Sequence, residues 1–168
     1  SSVYLGNNDT AAVNTSTVIN FTGGGEFVYD RASSGIFQVG GHQTSNTFNG
    51  NNSATVDMSS LSSATIKVST SNGTFRVSDN QTNGTGSQSS PGSTLTLAPT
   101  STITANRVSV GADSASLNSV HTLKLGAVKT DINANTIQVG TGLNSAGTQR
   151  GSGVVEFATS TGTLKIRA

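Results

Sequence analysis

Acidic, histidine and serine side chains are the first place to look for chemistry in this sequence, and the acids and histidines are few. The eight acidic residues are scattered along the chain. A glycosidase or polysaccharide lyase needs two carboxylates about 5 to 10 Å apart. Asp57 and Glu156 occupy equivalent outward positions in the repeat described below, but three copies apart, which is roughly 14 Å at strand spacing. His42 and His121 are placed by the sequence in long polar connections, without partner ligands at zinc spacing. Gly23-Gly24-Gly25-Glu26 is a weak echo of the Gly-Gly-x-Gly-x-Asp calcium repeat. Ser34-Gly35 and Ser152-Gly153 lack the strand-turn-helix context of a nucleophilic serine. With no cysteine there is no thiol chemistry and no disulfide framework. This accounting predicts no catalytic residue, no cofactor and no metal site.

The elements that would position any site follow from apolar residues two apart with a polar residue between them, the period of a strand with one buried face. The pattern is clearest late in the chain. One copy runs through Val108/Val110, Leu123/Leu125 and Ile132/Ala134, and the next through Ile137/Val139, Val155/Phe157 and Leu164/Ile166. The same frame read backwards gives Val3/Leu5, Ile19/Phe21 and Phe27/Tyr29; then Phe37/Val39, Val56/Met58 and Ile66/Val68; then Phe75/Val77, Leu95/Leu97 and Ile103/Ala105. The copies recur at intervals of roughly 29 to 38 residues, as stacked supersecondary units do.

The expected fold is therefore all-β: a right-handed parallel β-helix, or β-solenoid, with three strands per coil and about five coils, the handedness being that of parallel crossovers in general. The coils cover approximately residues 1–32, 33–69, 70–105, 106–134 and 135–168 in a single domain. Stacking in register predicts a core ladder of Val3, Phe37, Phe75, Val108 and Ile137, and a second of Phe21, Met58, Leu97, Leu125 and Phe157. Gly6, Gly40, Gly111 and Gly140 follow the first strand of their copies, where a corner calls for positive φ, and Ser78 is the exception. Asn106 and Asn135 share a position, where their side chains could form a hydrogen-bonded ladder or serve simply as corner residues that tolerate a left-handed turn.

Composition agrees with a narrow core. Hydrophobic residues make up 32% of the chain and aromatic residues 5%, thin for a globular interior but sufficient for coils whose open faces are covered by their neighbours. Only 10% of residues are charged and the formal net charge is +1, which argues against nucleic acid and against anionic membrane as partners. No long apolar span that would insert in a membrane is present.

The connections from first to second strand are long and variable, and in a stack they emerge along one edge, where loops on a rigid scaffold commonly bind. Tyr4, Gln38, Phe48, Arg76, Gln138 and Arg150 are the candidate exposed contacts there, for a glycan or a surface protein. Lys124 and Glu156 are expected to form a cross-strand ion pair. Thr94-Leu95-Thr96-Leu97 and Thr102-Ile103-Thr104 echo the threonine rows of ice-binding solenoids, but the matching positions Asn20, Asp57, Lys124 and Glu156 break the array.

The stretches Thr130 to Gly140, TDINANTIQVG, and Gly151 to Ala168, GSGVVEFATSTGTLKIRA, resemble the autotransporter-type β-strand repeats of large bacterial surface or secreted proteins. The likeness covers the last two copies, and the first three follow it only in apolar spacing. It implies a β-helical stalk outside the cytoplasm, extracellular or on the bacterial cell surface, although no membrane barrel accompanies it here. The expected role is a non-enzymatic fibre, stalk or adhesin segment that stacks through its ends with flanking coils or with copies of itself. The alternative is a carbohydrate-active enzyme or glycan-binding module on the same scaffold.

Overall fold

The computed structural model of the chain describes residues 2–6, 15–31, 33–41, 52–78, 92–111, 119–140 and 152–168. Among these residues there are thirteen strands and no helix: β1 (Val3–Leu5), β2 (Thr15–Asn20), β3 (Glu26–Asp30), β4 (Ile36–Val39), β5 (Asn52–Asp57), β6 (Ser63–Lys67), β7 (Thr74–Val77), β8 (Thr94–Thr96), β9 (Thr100–Val110), β10 (Val120–Leu125), β11 (Lys129–Val139), β12 (Ser152–Phe157) and β13 (Thr163–Arg167). An eight-stranded sheet runs β1-β4-β7-β9-β11-β13, with β3 paired to β6 and β6 to β9. A five-stranded sheet runs β2-β5-β8-β10-β12. Every strand pairing among the described residues is parallel. Strands far apart in sequence are thus neighbours in space, the arrangement of a β-solenoid or a similar parallel β fold.

Register places like on like. Val3 pairs with Phe37, Phe37 with Phe75, Phe75 with Val108 and Val108 with Ile137. Leu125 pairs with Phe157, and the same row continues through Leu97, Met58 and Phe21, whose amides donate to the carbonyls of Lys124, Thr96 and Asp57. Phe37 and Phe75 stack with ring centroids 5.7 Å apart and an interplanar angle of 3°. Phe21, Phe27 and Tyr29 extend this aromatic group by edge and tilted contacts. Of the two predicted ladders, Phe37, Phe75, Val108, Met58, Leu97 and Leu125 are fully buried, whereas Phe157 is exposed. Phe157 lies on β12, which has a strand partner on one side only among the described residues, so half of its cover is lacking.

The corners differ from expectation in one respect. The spacing predicts a break between the third strand of one copy and the first strand of the next, but β9 and β11 each run on as one strand. The inward set shifts phase within β9: Ile103 and Ala105 are buried, then Val108 and Val110. The corner survives as a one-residue slip of the alternation at Asn106-Arg107. Between β6 and β7 the chain instead takes the longer path Val68 to Gly73, and the Asn106 amide spans it by donating to the carbonyls of both Ser69 and Gly73 at 3.0 Å. The side chain of Asn135 donates to Asn106 Oδ1 at 3.0 Å and to the Thr70 carbonyl at 3.1 Å, so the asparagine ladder is formed.

Gly6, Gly40, Gly111 and Gly140 have φ of 92°, 116°, 69° and 70°. Two constraints meet at Gly40. Its backbone is in a region that side chains disfavour, and a Cβ there would lie 2.5 Å from the Ser78 carbonyl oxygen of the next layer.

Candidate functional site

Four of the six candidate contact residues fall in one row. Tyr4 pairs with Gln38, Gln38 with Arg76, Arg76 with Ser109 and Ser109 with Gln138 across β1, β4, β7, β9 and β11. The expectation that Gln38 and Arg76 are exposed is not met: Gln38 is fully buried and Arg76 nearly so. Tyr4 and Gln138 are half-buried. Phe48 and Arg150, with His42, lie outside the described residues.

The burial follows from what these side chains do for one another. Arg76 Nη1 donates to Gln38 Oε1 at 3.3 Å, and Gln38 Nε2 donates to the carbonyls of Gly41 and Ser78. One layer on, Arg107 Nη2 donates to Gln138 Oε1 at 2.7 Å. A buried guanidinium or amide is tolerable only with such partners. The row therefore works as a polar lace along the outer side of the first strands, tying adjacent layers together. Its chemistry is spent internally, which leaves Tyr4 and Gln138 as the contact candidates with part of their surface open.

His121 is the residue that the sequence misplaces. It lies on β10 in phase with the inward Leu123 and Leu125 and is fully buried. Ser93 N donates to His121 Nδ1 at 3.0 Å, and Ser119 Oγ lies 3.1 Å from Nε2. A nitrogen that accepts a backbone N–H carries no proton of its own, so Nε2 is the protonated one and donates to Ser119 Oγ. The pair resembles a serine-histidine dyad in distance, but in this tautomer the ring nitrogen donates to Ser119 rather than accepting from it. The cross-strand partner of His121 on β12 is Gly153. A Cβ on Gly153 would come within 2.1 Å of the Val110 carbonyl oxygen.

The described carboxylates are each engaged. Asp57 Oδ1 accepts from Ser59 N at 2.8 Å, Glu26 Oε1 accepts from Ser63 Oγ at 3.1 Å, and Asp30 pairs with Lys67 at 3.2 Å. The expected pair of Lys124 with Glu156 is present at 3.4 Å, with both side chains well exposed. Asp131 has the densest surroundings: Lys129 Nζ lies at 2.8 Å and Arg167 Nη2 at 3.6 Å, and its side chain is only 15% exposed. The hydrogen bond from Lys129 holds its carboxyl below the ordinary value of 3.8; partial desolvation acts the other way, and the charges of Lys129, Arg167 and Lys165 add to the lowering. Asp57 and Glu156 remain three strand steps apart, through Thr96 and Lys124, or about 14 Å. Among the described residues no group of three or more His, Asp or Glu side chains could hold a metal ion.

At the two ends of the stack the inward rows open to solvent. Along the inward rows, Ile103 and Ile132 are buried and Ile166 is 56% exposed; Val77 and Val110 are buried and Val139 is 44% exposed; Leu97 and Leu125 are buried and Phe157 is 44% exposed. At the opposite end Val3, Leu5, Ile19, Phe21, Phe27 and Tyr29 are half-buried, whereas the residues one layer in are fully buried. The segments that bear them, β1, β2 and β3 at one end and β12, β13 and residues 136–139 of β11 at the other, each pair on one side only among the described residues. Each end therefore joins an apolar patch to a strand edge that has no strand partner among the described residues.

Comparisons of the chain with protein-family models, with curated proteins and with solved structures return no match. The likeness to autotransporter-type repeats consequently rests on the residues quoted above.

Proposed function

We propose that this chain is a length of right-handed parallel β-helix, about five coils of three strands, serving outside the cytoplasm as a non-enzymatic fibre, stalk or adhesin segment. Its end faces join it to further coils, whether flanking ones or those of another copy. The observation that carries this reading is the contrast between inward rows that are sealed within the stack and open at both ends. Exposed apolar rows bordered by single-sided strands are costly in water and are covered when another parallel layer adds. The polar lace supports the same reading, since the side chains of the candidate contact row bind layer to layer. The low charge and the absence of cysteine fit a secreted, weakly charged scaffold.

Two measurements on the chain test this. Sedimentation velocity over a wide concentration range is expected to show mass growing with concentration; a strictly monomeric chain at millimolar concentration would refute the joint between copies. Incubation with a panel of plant and bacterial polysaccharides, followed by reducing-end release, is expected to show none. Turnover of any glycan would instead establish the carbohydrate-active alternative.

A further inference from the structure

The two end faces are complementary to each other in detail. β2 and β12 both have six residues, and β3 and β13 both have five. β3 reads Glu-Phe-Val-Tyr-Asp, two acids and no base, and β13 reads Thr-Leu-Lys-Ile-Arg, two bases and no acid. The register within the stack can be continued by one step: β3 pairs with β6, β6 with β9, β9 with β11 and β11 with β13, each without a shift along this row. A following copy laid on β13 in that register sets Leu164 on Phe27, Ile166 on Tyr29 and Arg167 on Asp30. In the five-stranded sheet it sets Val155 on Ile19 and Phe157 on Phe21. It also sets Val154 on Val18, two exposed valines whose row in the intervening layers holds Thr55, Thr94 and Thr122.

We infer that the occupant of each end face is a second copy of this chain, added head to tail so that β3 of one copy continues the sheet from β13 of the copy before it, with Asp30 opposite Arg167. This rests on the reading of the ends as joints and deepens it by naming partner, polarity and register. Head-to-head contact is disfavoured because it brings the Glu26 and Asp30 edges together and makes the strands antiparallel. Tail-to-tail contact likewise brings the basic Lys165 and Arg167 edges of two copies together. The head-to-tail joint is heterologous and repeats the strand step without closing, so it grows into an open filament.

The chain has no cysteine, which makes disulfide trapping specific. Adjacent strands are about 4.8 Å apart, within the Cα separation that a disulfide spans. Asp30→Cys and Arg167→Cys chains mixed under mild oxidation are expected to give mainly the mixed disulfide. Dominant self-linked products of either variant, or no linkage while sedimentation still shows association, would overturn the register and leave end joining standing. No association of the unmodified chain would bring down both. Charge exchange is the second test. Asp30→Lys and Arg167→Glu each weaken association about threefold to tenfold, and the chain carrying both recovers most of the loss, because each joint again opposes unlike charges. An additive loss in the double variant would mean that both substitutions act within their own layer, on Lys67 and Asp131, and would refute the joint.

Discussion

Truncation of Phe75 to alanine is the most informative perturbation of the stack. Phe75 is fully buried, lies between Phe37 and Val108 in its row and stacks on Phe37. Its ring contributes about 1.5 to 3 kcal/mol by burial, and the enclosing rows above and below hold the cavity open, so the total loss is about 3 to 5 kcal/mol. Phe157→Ala is the matched control, the same chemical change on an end row. Phe157 is 44% exposed and faces solvent on one side, so about half the transfer gain is lost and no closed cavity forms, roughly 1 kcal/mol. Urea unfolding followed by far-ultraviolet circular dichroism, at a concentration where the chain is monomeric, separates the two. With a slope of about 2 kcal/mol per molar, the midpoint falls by about 1.5 to 2.5 M for Phe75→Ala and about 0.5 M for Phe157→Ala. Equal shifts would refute the argument that rows are sealed within the stack and open at its ends.

Further outcomes follow from the same geometry. Gly153→Ala forces a Cβ against the Val110 carbonyl oxygen, and is expected to lower stability by about 2 kcal/mol or more in the same urea assay. His121→Ala leaves the buried Ser93 amide without its acceptor and opens a cavity, for a loss of about 2 to 4 kcal/mol, while a glycan panel reads no change in binding. Arg76→Ala costs about 1.5 to 3 kcal/mol, because Gln38 Oε1 loses a charged donor in a buried setting. Because the Asp131 carboxyl is held below 3.8, its contribution to stability is complete above the ordinary carboxylate range and is lost as pH falls through its lower folded value. Thermal melting between pH 6 and 2 is therefore expected to fall less steeply at its acid end for Asp131→Asn than for the unsubstituted chain.

What was legible in the sequence is what depends on strand period alone. The inward frame from Val3 to Ile166 and the like-on-like rows follow from apolar residues two apart, since successive layers must present the same face to the same interior. The glycines after the first strands and the Asn106–Asn135 contact were readable for the same reason, because repeats in register stack their corners. Burial on the outer side was not. Whether Gln38 and Arg76 meet water depends on what lies against that side of the sheet and on partners a layer away, which no local pattern encodes. His121 carried a usable signal, being in phase with Leu123 and Leu125, but a polar ring next to a long polar connection reads as loop until the Ser93 amide and the Ser119 hydroxyl are seen to meet its two nitrogens. The slip at Asn106-Arg107 was seen as a corner because alternation fails there, although the backbone stays extended.

The central claim is that parallel layers stack with one row of isoleucines running through them in the order Ile66, Ile103, Ile132 and Ile166. Nuclear Overhauser contacts between the methyl groups of isotopically labelled isoleucines test it most directly. The stack predicts contacts for Ile66 with Ile103, Ile103 with Ile132 and Ile132 with Ile166, and none for Ile66 with Ile166. A different order, or an Ile103 that contacts neither neighbour, would contradict it.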